Sequence, residues 1–353
     1  MFLIHFRSIL PDKIKVLIRK SWGLIFFYGG VFHLIRFLNN LIGKRITIVM
    51  YHRVTDRSIE SIEESLPFLF TSVETFRRQI LFFEKWYKII SFEKLSTYIK
   101  HSKVPRNSLI ITFDDGYEDN YLMAYPVLRG MNAEATFFLA VDKIAGNGQA
   151  WWWDRAYCYF RILEKVGNED RVLQSLGEEI LFLLREFKKD PSRLFGSLNK
   201  QDTGRIVAWL DTIENNYPMN NENIMKYNAA LSWHQISGMI ENMDVGSHTC
   251  SHSNITMLDQ PQRNYEIAES RKLLQEKTKK KVIAFSYPGG SLDDNAKRMV
   301  RDAGYEFAVS TAAGVNDLGS RYALKRINLW EGASLGMHGR FSKGYLAYKL
   351  LGF

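Results

Sequence analysis

Cysteine is nearly missing. Two in 353 residues cannot build a disulfide scaffold, and a reducing compartment stays open. Long apolar runs are missing too: none reaches the ~18 residues of a spanning helix, which excludes a polytopic membrane protein. There are no internal repeats and no low-complexity tracts. Charged residues at 24% and hydrophobic residues at 46% are ordinary globular usage, so disorder, collagen and coiled coil are excluded as the main description. Acidic residues are scarce at one end. Residues 1–45 hold a single acid, Asp12, against eight basic side chains, so they carry +7 of the net +9. The rest of the chain is close to neutral and lacks the basic field of a nucleic-acid binder, so no nucleic-acid partner is expected. What is present is length enough for about two units at roughly 150 residues each, or for one α/β barrel with insertions.

The basic end is also apolar. Ser21–Ile35 is 15 residues without a charge, broken by Gly29-Gly30, and no small-residue cleavage site follows it. Residues 1–45 therefore read as basic amphipathic helices. Resting on an anionic membrane surface and packing on the domain are both open; an uncleaved signal anchor is a third reading. Without a cleavable signal, the expected location is the cytoplasm, with association at the inner face of the membrane.

From residue 46 strand and helix alternate. Ile46–Tyr51, Ser108–Phe113, Glu134–Ala140, Val282–Tyr287 and Glu306–Ser310 are apolar or β-branched and predict strands. Ser72–Trp86 carries a helical stripe, Ser232–Gln235 a capping box, and Asp293 can cap a helix that ends at Gly304. This is parallel β/α organisation. About residues 155–230 show long helical stretches and almost no strand signal, a helical insertion between two parts of one barrel. The division is 1–45, the N-terminal helices; 46–330, the barrel with its insertion; and 331–353, a C-terminal tail.

Three segments carry chemistry. Thr112-Phe113-Asp114-Asp115-Gly116 ends an apolar strand in two carboxylates, which are costly there unless a cation or solvent offsets them. One carboxylate can bind a metal while the other accepts a proton; a solvated turn is the plain alternative. Ser247-His248-Thr249-Cys250-Ser251-His252 puts two histidines four apart, which brings both imidazoles to one metal. Two neutral histidines and one carboxylate suit Zn²⁺ in a hydrolase, or another first-row divalent ion. Cys250 between them is a soft donor that this set does not need. Phe285-Ser286-Tyr287-Pro288-Gly289-Gly290 reads either as an ordinary Pro-Gly turn or as a loop whose backbone N–H groups hold an oxyanion.

Together, in this order and each at a strand end, the three segments resemble the polysaccharide deacetylase family (the NodB-homology domain, carbohydrate esterase family 4) over about residues 46–330. Met50-Tyr51-His52-Arg53-Val54 is similar to the branch that deacetylates poly-N-acetylglucosamine-type exopolysaccharides. The resemblance implies a distorted, incomplete (β/α) barrel with one divalent metal ion, most simply Zn²⁺, at its mouth. It implies that Asp114 is the general base, that Asp115, His248 and His252 hold the metal, and that the Tyr287 backbone N–H meets the oxyanion. The reaction implied is hydrolysis of an acetamide on a sugar, with acetate released. The substrate is an N-acetylated amino-sugar glycan or its lipid- or nucleotide-linked precursor.

Two departures stand out. The arginine that orients the base in many members is replaced at the corresponding place by Ser286, with Arg326 a candidate substitute. The region of the C-terminal L-x-H motif reads Leu324-Lys325-Arg326-Ile327-Asn328, without histidine. The resemblance to the M-Y-H context of that branch, after a predicted strand, makes His52 the candidate general acid, ahead of His338, with a supporting or core histidine as its plain alternative. Tyr287, Pro288, Gly289 and Trp153 are expected at the substrate; Trp153 belongs to a run of three tryptophans that cannot all face one way. A non-catalytic carbohydrate-binding protein on this fold, or an O-acetyl esterase, are the competing readings.

Overall fold

A computed structural model describes residues 12–42, 45–59, 62, 65–145, 150–166, 170–198, 201, 203–218 and 227–351. Its strands are β1 (Ile46–Tyr51), β2 (Arg53–Thr55), β3 (Phe70–Ser72), β4 (Lys88–Ile89), β5 (Ser108–Phe113), β6 (Thr136–Leu139), β7 (Asp244–Ser247), β8 (Ala284–Ser286), β9 (Phe307–Val309) and β10 (Ile327–Asn328). The main sheet is parallel, in the order β10-β1-β5-β6-β7-β8-β9, with β4 beside the start of β5. β1, β5 and β6 are buried along their whole length, as expected for parallel strands covered on both faces. Leu324, just before β10, bridges Val309 of β9, so the sheet's two edges curl towards each other without pairing β9 to β10. This is the distorted, incomplete (β/α) barrel expected from the motifs.

The helices that matter here are α1 (Asp12–Tyr28), α2 (Val31–Ile42), α3 (Val73–Trp86), α4 (Trp152–Lys165), α5 (Glu178–Lys189), α6 (Thr203–Asn216), α7 (Asp294–Asp302) and α8 (Lys343–Leu350). Ser72 caps α3 through Thr75 N, and Asp293 caps α7 through Ala296 N, which satisfies donors that a helix start leaves open. Between β6 and β7 the chain runs through α4, α5 and α6, which build a separate apolar cluster around Tyr157, Leu163, Leu184 and Leu210.

α1 and α2 form a hairpin across Gly30 (φ 82). One face of it is docked. Phe27 and Phe32 pack on Phe82 of α3, with ring centroids 6.0 and 6.1 Å away. Gly23 meets Gly344 of α8 backbone to backbone. A Cβ on Gly23 would lie 2.9 Å from Tyr345 Cα, and one on Gly344 would lie 2.6 Å from Gly23 O, so only glycine permits this crossing. No helix among the described residues is long and apolar enough to cross a membrane.

Candidate active site

The C-terminal ends of β1, β5, β7 and β8 bring the chemistry-bearing side chains together, where parallel barrels place them. Asp114 continues β5, and its N–H donates to Tyr51 O at 3.0 Å. Asp115 and Gly116 then both take φ 72. At Gly116 a Cβ would sit 3.0 Å from Leu139 Cδ2, so the turn is tight as well as left-handed. His248 follows β7, and the chain turns through Thr249 (φ 68) to His252 (φ 63). Three non-glycine residues in left-handed backbone at one site mark strain held by its surroundings. The holders are visible. Glu266 accepts the N–H groups of Cys250 and Ser251 at 2.8 and 3.0 Å, and Thr249 Oγ1 accepts that of His252 at 2.9 Å.

Asp115, His248 and His252 converge: their ligand atoms all lie within 4.8 Å of one another. Asp115 Oδ1 is 3.5 Å from His248 Nε2 and 3.3 Å from His252 Nε2. Two ligand atoms each about 2.0–2.1 Å from one tetrahedral cation are themselves roughly 3.3–3.4 Å apart, so this spacing fits a shared first-row ion. His248 Nδ1 donates to Ser286 O at 2.7 Å, which fixes the tautomer and leaves Nε2 free to ligate. Asp115 and His248 are buried, and the His252 side chain is 14% exposed, at the mouth. Burial pushes the Asp115 carboxyl up, but hydrogen bonds from His248 and His252 outweigh it and hold the group well below the usual carboxylate range.

Asp114 has a different partner. Arg326, fully buried, donates to Asp114 Oδ1 at 2.7 Å and to Oδ2 at 2.6 Å, a bidentate pair. The guanidinium also reaches Ser310 O at 3.0 Å, Ser286 Oγ at 3.0 Å and Thr112 Oγ1 at 3.2 Å. Arg326 thus fixes the orientation of the Asp114 carboxylate. Burial raises the Asp114 carboxyl, while Arg326, His248 and His52 outweigh burial and hold it low. His52 follows β1, half-buried, with its carbonyl held by Asn120 Nδ2 at 2.8 Å.

Two expectations need correction. The Tyr287 N–H is not an open donor. It bonds Val309 O at 3.1 Å, because β8 pairs with β9 through Ser286 and Val309 and the next N–H along belongs to that ladder. The Tyr287 hydroxyl is likewise engaged, at 3.0 Å from Tyr322 O, and the residue is wholly buried. Nor is Trp153 an exposed platform for a sugar. Its indole stacks on Trp151 at 4.5 Å, both rings wall off His252 at 4.6 and 5.3 Å, and its N–H donates to Tyr117 Oη at 2.7 Å. Pro288 is buried and Gly289 is exposed beside it. Cys250 is fully buried and lies outside the ligand cluster. His338 sits in an exposed turn.

Behind the tryptophans lies a carboxylate that the motifs did not indicate. Asp154 is fully buried and accepts from Tyr117 Oη at 2.8 Å and from Ser65 Oγ. Burial pushes it from 3.8 up to about 6, with Arg53 opposing. A carboxyl raised on folding binds its proton more tightly in the native state, so its contribution to stability falls as pH rises between about 4 and 6 and is flat above. The stability difference between wild type and Asp154→Asn should therefore change by on the order of 3 kcal/mol across that window, measured by urea unfolding. A difference that stays constant with pH would rule the raised carboxyl out.

Comparison with known proteins gives a consistent picture. The chain matches the polysaccharide deacetylase family over residues 101–164 and 206–308. It is 21% identical over 305 residues to Bacillus subtilis (strain 168) YxkH, which carries the name of a polysaccharide deacetylase, covering 84% of this chain and 76% of that one. Streptococcus pyogenes deacetylase PplD, solved in complex with acetate, superposes with TM-score 0.53 at 18% identity, covering 82% of this chain and 93% of the other. IcaB from Ammonifex degensii gives 0.52 at 17%, covering 81% and 92%.

Proposed function

The chain belongs to the polysaccharide deacetylase family, a family of hydrolytic deacetylases, and from that premise we propose that it removes the N-acetyl group of an amino-sugar glycan, or of its lipid- or nucleotide-linked precursor. The observation that carries this reading is the pairing of two neighbouring carboxylates with two separate partners. Asp115 points at two imidazoles, whereas Asp114, the residue before it, is locked to Arg326.

Asp115, His248 and His252 would hold one divalent cation, taken as Zn²⁺ from the two-imidazole, one-carboxylate donor set; bound there, it supplies the Lewis acid that polarises the acetyl carbonyl and acidifies water. Asp114 takes the proton of the water that attacks the acyl carbon. Arg326 holds that carboxylate anionic and aimed until the proton arrives. The carbon–nitrogen bond then breaks, acetate leaves, and the departing amine needs a proton. His52, which directly follows β1 at the same end of the sheet, is the group offered for it. Trp151 and Trp153 keep the His252 ring in place and exclude water from its inner face.

The test is cation content and acetate release in the same preparation of the whole protein. About one divalent ion per chain, acetate from N-acetylglucosamine oligomers, and loss of both in His248→Ala is the expected result. A chelator should stop release, and Zn²⁺ should restore it. Bound cation with no acetate from oligomers, sugar nucleotides or lipid-linked sugars would remove the catalytic reading in favour of carbohydrate binding.

A further inference from the structure

The α1–α2 hairpin has two faces, and only one is covered. Along α1, Ile18, Trp22, Ile25 and Tyr28 recur every three to four residues, which is one stripe of a helix, and they are 40% to 72% exposed. On α2, Val31, Leu34 and Phe37 continue it at 39% to 60%. Seven of the fifteen exposed large hydrophobic residues among those described lie within these twenty positions, so this is a patch and not scatter. The domain does not need this face, because Gly23, Phe27 and Phe32 on the opposite side make the docking contacts.

Charge chooses the occupant. Between Asp12 and Asp56 the sequence has no acidic residue, and Arg19, midway along α1, and Arg45, just past α2, are exposed. A second copy on the same face would set two such segments against each other with no acid to pair them. An anionic bilayer complements both the apolar stripe and the charge. Trp22 and Tyr28 are side chains that sit well at a lipid–water boundary. At 17 residues α1 is about 25 Å long, too short to span and long enough to lie flat.

We infer that the exposed face of the α1–α2 hairpin seats the protein on the surface of a membrane rich in anionic lipid. The seat is rigid, because the Gly23–Gly344 crossing and the Lys20 ammonium on Gly336 O, at 3.1 Å, tie the hairpin to the barrel. The inference stands apart from the deacetylase reading, since its readout is binding and not turnover.

The experiment is co-sedimentation of the full chain with vesicles of phosphatidylethanolamine and phosphatidylglycerol, beside vesicles of phosphatidylcholine alone. Binding to the first should exceed binding to the second by at least about tenfold and weaken with salt. Ile25→Glu with Leu34→Glu should abolish it. Both positions are exposed, so the variant's thermal unfolding and its acetate release from soluble oligomers should match wild type. Failure of wild type to bind the anionic vesicles overturns the inference, as does undiminished binding by the variant. A wild-type dimer that the variant turns into a monomer, with no vesicle binding by either, would assign the face to a second copy instead.

Discussion

Replacing Asp114 with asparagine is expected to lower kcat/KM for acetate release by about 10²- to 10⁴-fold, the range for losing a general base. Cation content should stay at the wild-type level. The ligand cluster is Asp115, His248 and His252, and both Asp114 oxygens are occupied by Arg326. An amide keeps the shape of the carboxylate but cannot take a proton. Loss of the cation together with activity would show that Asp114 is a ligand, and the division of labour between the two aspartates would fall.

The second large effect is on stability. Arg326→Met should destabilise the protein by about 3–5 kcal/mol, because it strands the Asp114 carboxylate without its buried partner. The deficit has a definite pH dependence. Asp114 is held low in the folded protein, so its paired contribution is fully present above the usual carboxylate range and is lost as pH falls through the lowered value. Urea unfolding should show the variant's deficit at neutral pH and its shrinkage in acid. The double variant Asp114→Asn with Arg326→Met should recover part of the loss, a coupling of roughly 0.5–3 kcal/mol, since neither partner is then left charged and alone. Strict additivity would mean that the two residues do not act as a pair.

The sequence made parts of this legible for identifiable reasons. Ile46–Tyr51 and Ser108–Phe113 are apolar runs because both faces of those strands are covered, and the structure makes each a strand over the same residues. β7 reads Asp-Val-Gly-Ser and offers no such run. Gly246 is there because a Cβ would lie 2.4 Å from the Phe138 ring of β6, a packing reason that only the assembled sheet reveals. Spacing brought His248 and His252 together and left open which aspartate joins them; that Asp115 does was implied only by the family resemblance, and the structure sets its carboxylate beside both rings. The fate of the Tyr287 N–H did not follow from spacing, because it depends on strand register: β9 takes the donor that the loop reading had left open. The tryptophan run could be seen to split its faces, but not that two indoles would stack against a histidine. Amphipathy of the N-terminal helices was visible; which face the barrel keeps was not, because Gly344, on the far end of the chain, decides it.

The ion pair between Asp114 and Arg326 also sets an order of events during synthesis. The two residues are 212 apart in sequence. At about 5–20 residues per second, the ribosome exposes the aspartate roughly 10–40 seconds before its arginine exists. Over that interval the strands on either side can form, but sealing the carboxylate into the sheet carries the cost of a buried charge with no counterion. Closing the catalytic end around a paired carboxylate therefore has to wait for β10, which pairs with β1 directly after Arg326. The two halves of the ion pair thus meet only when the last strand has arrived.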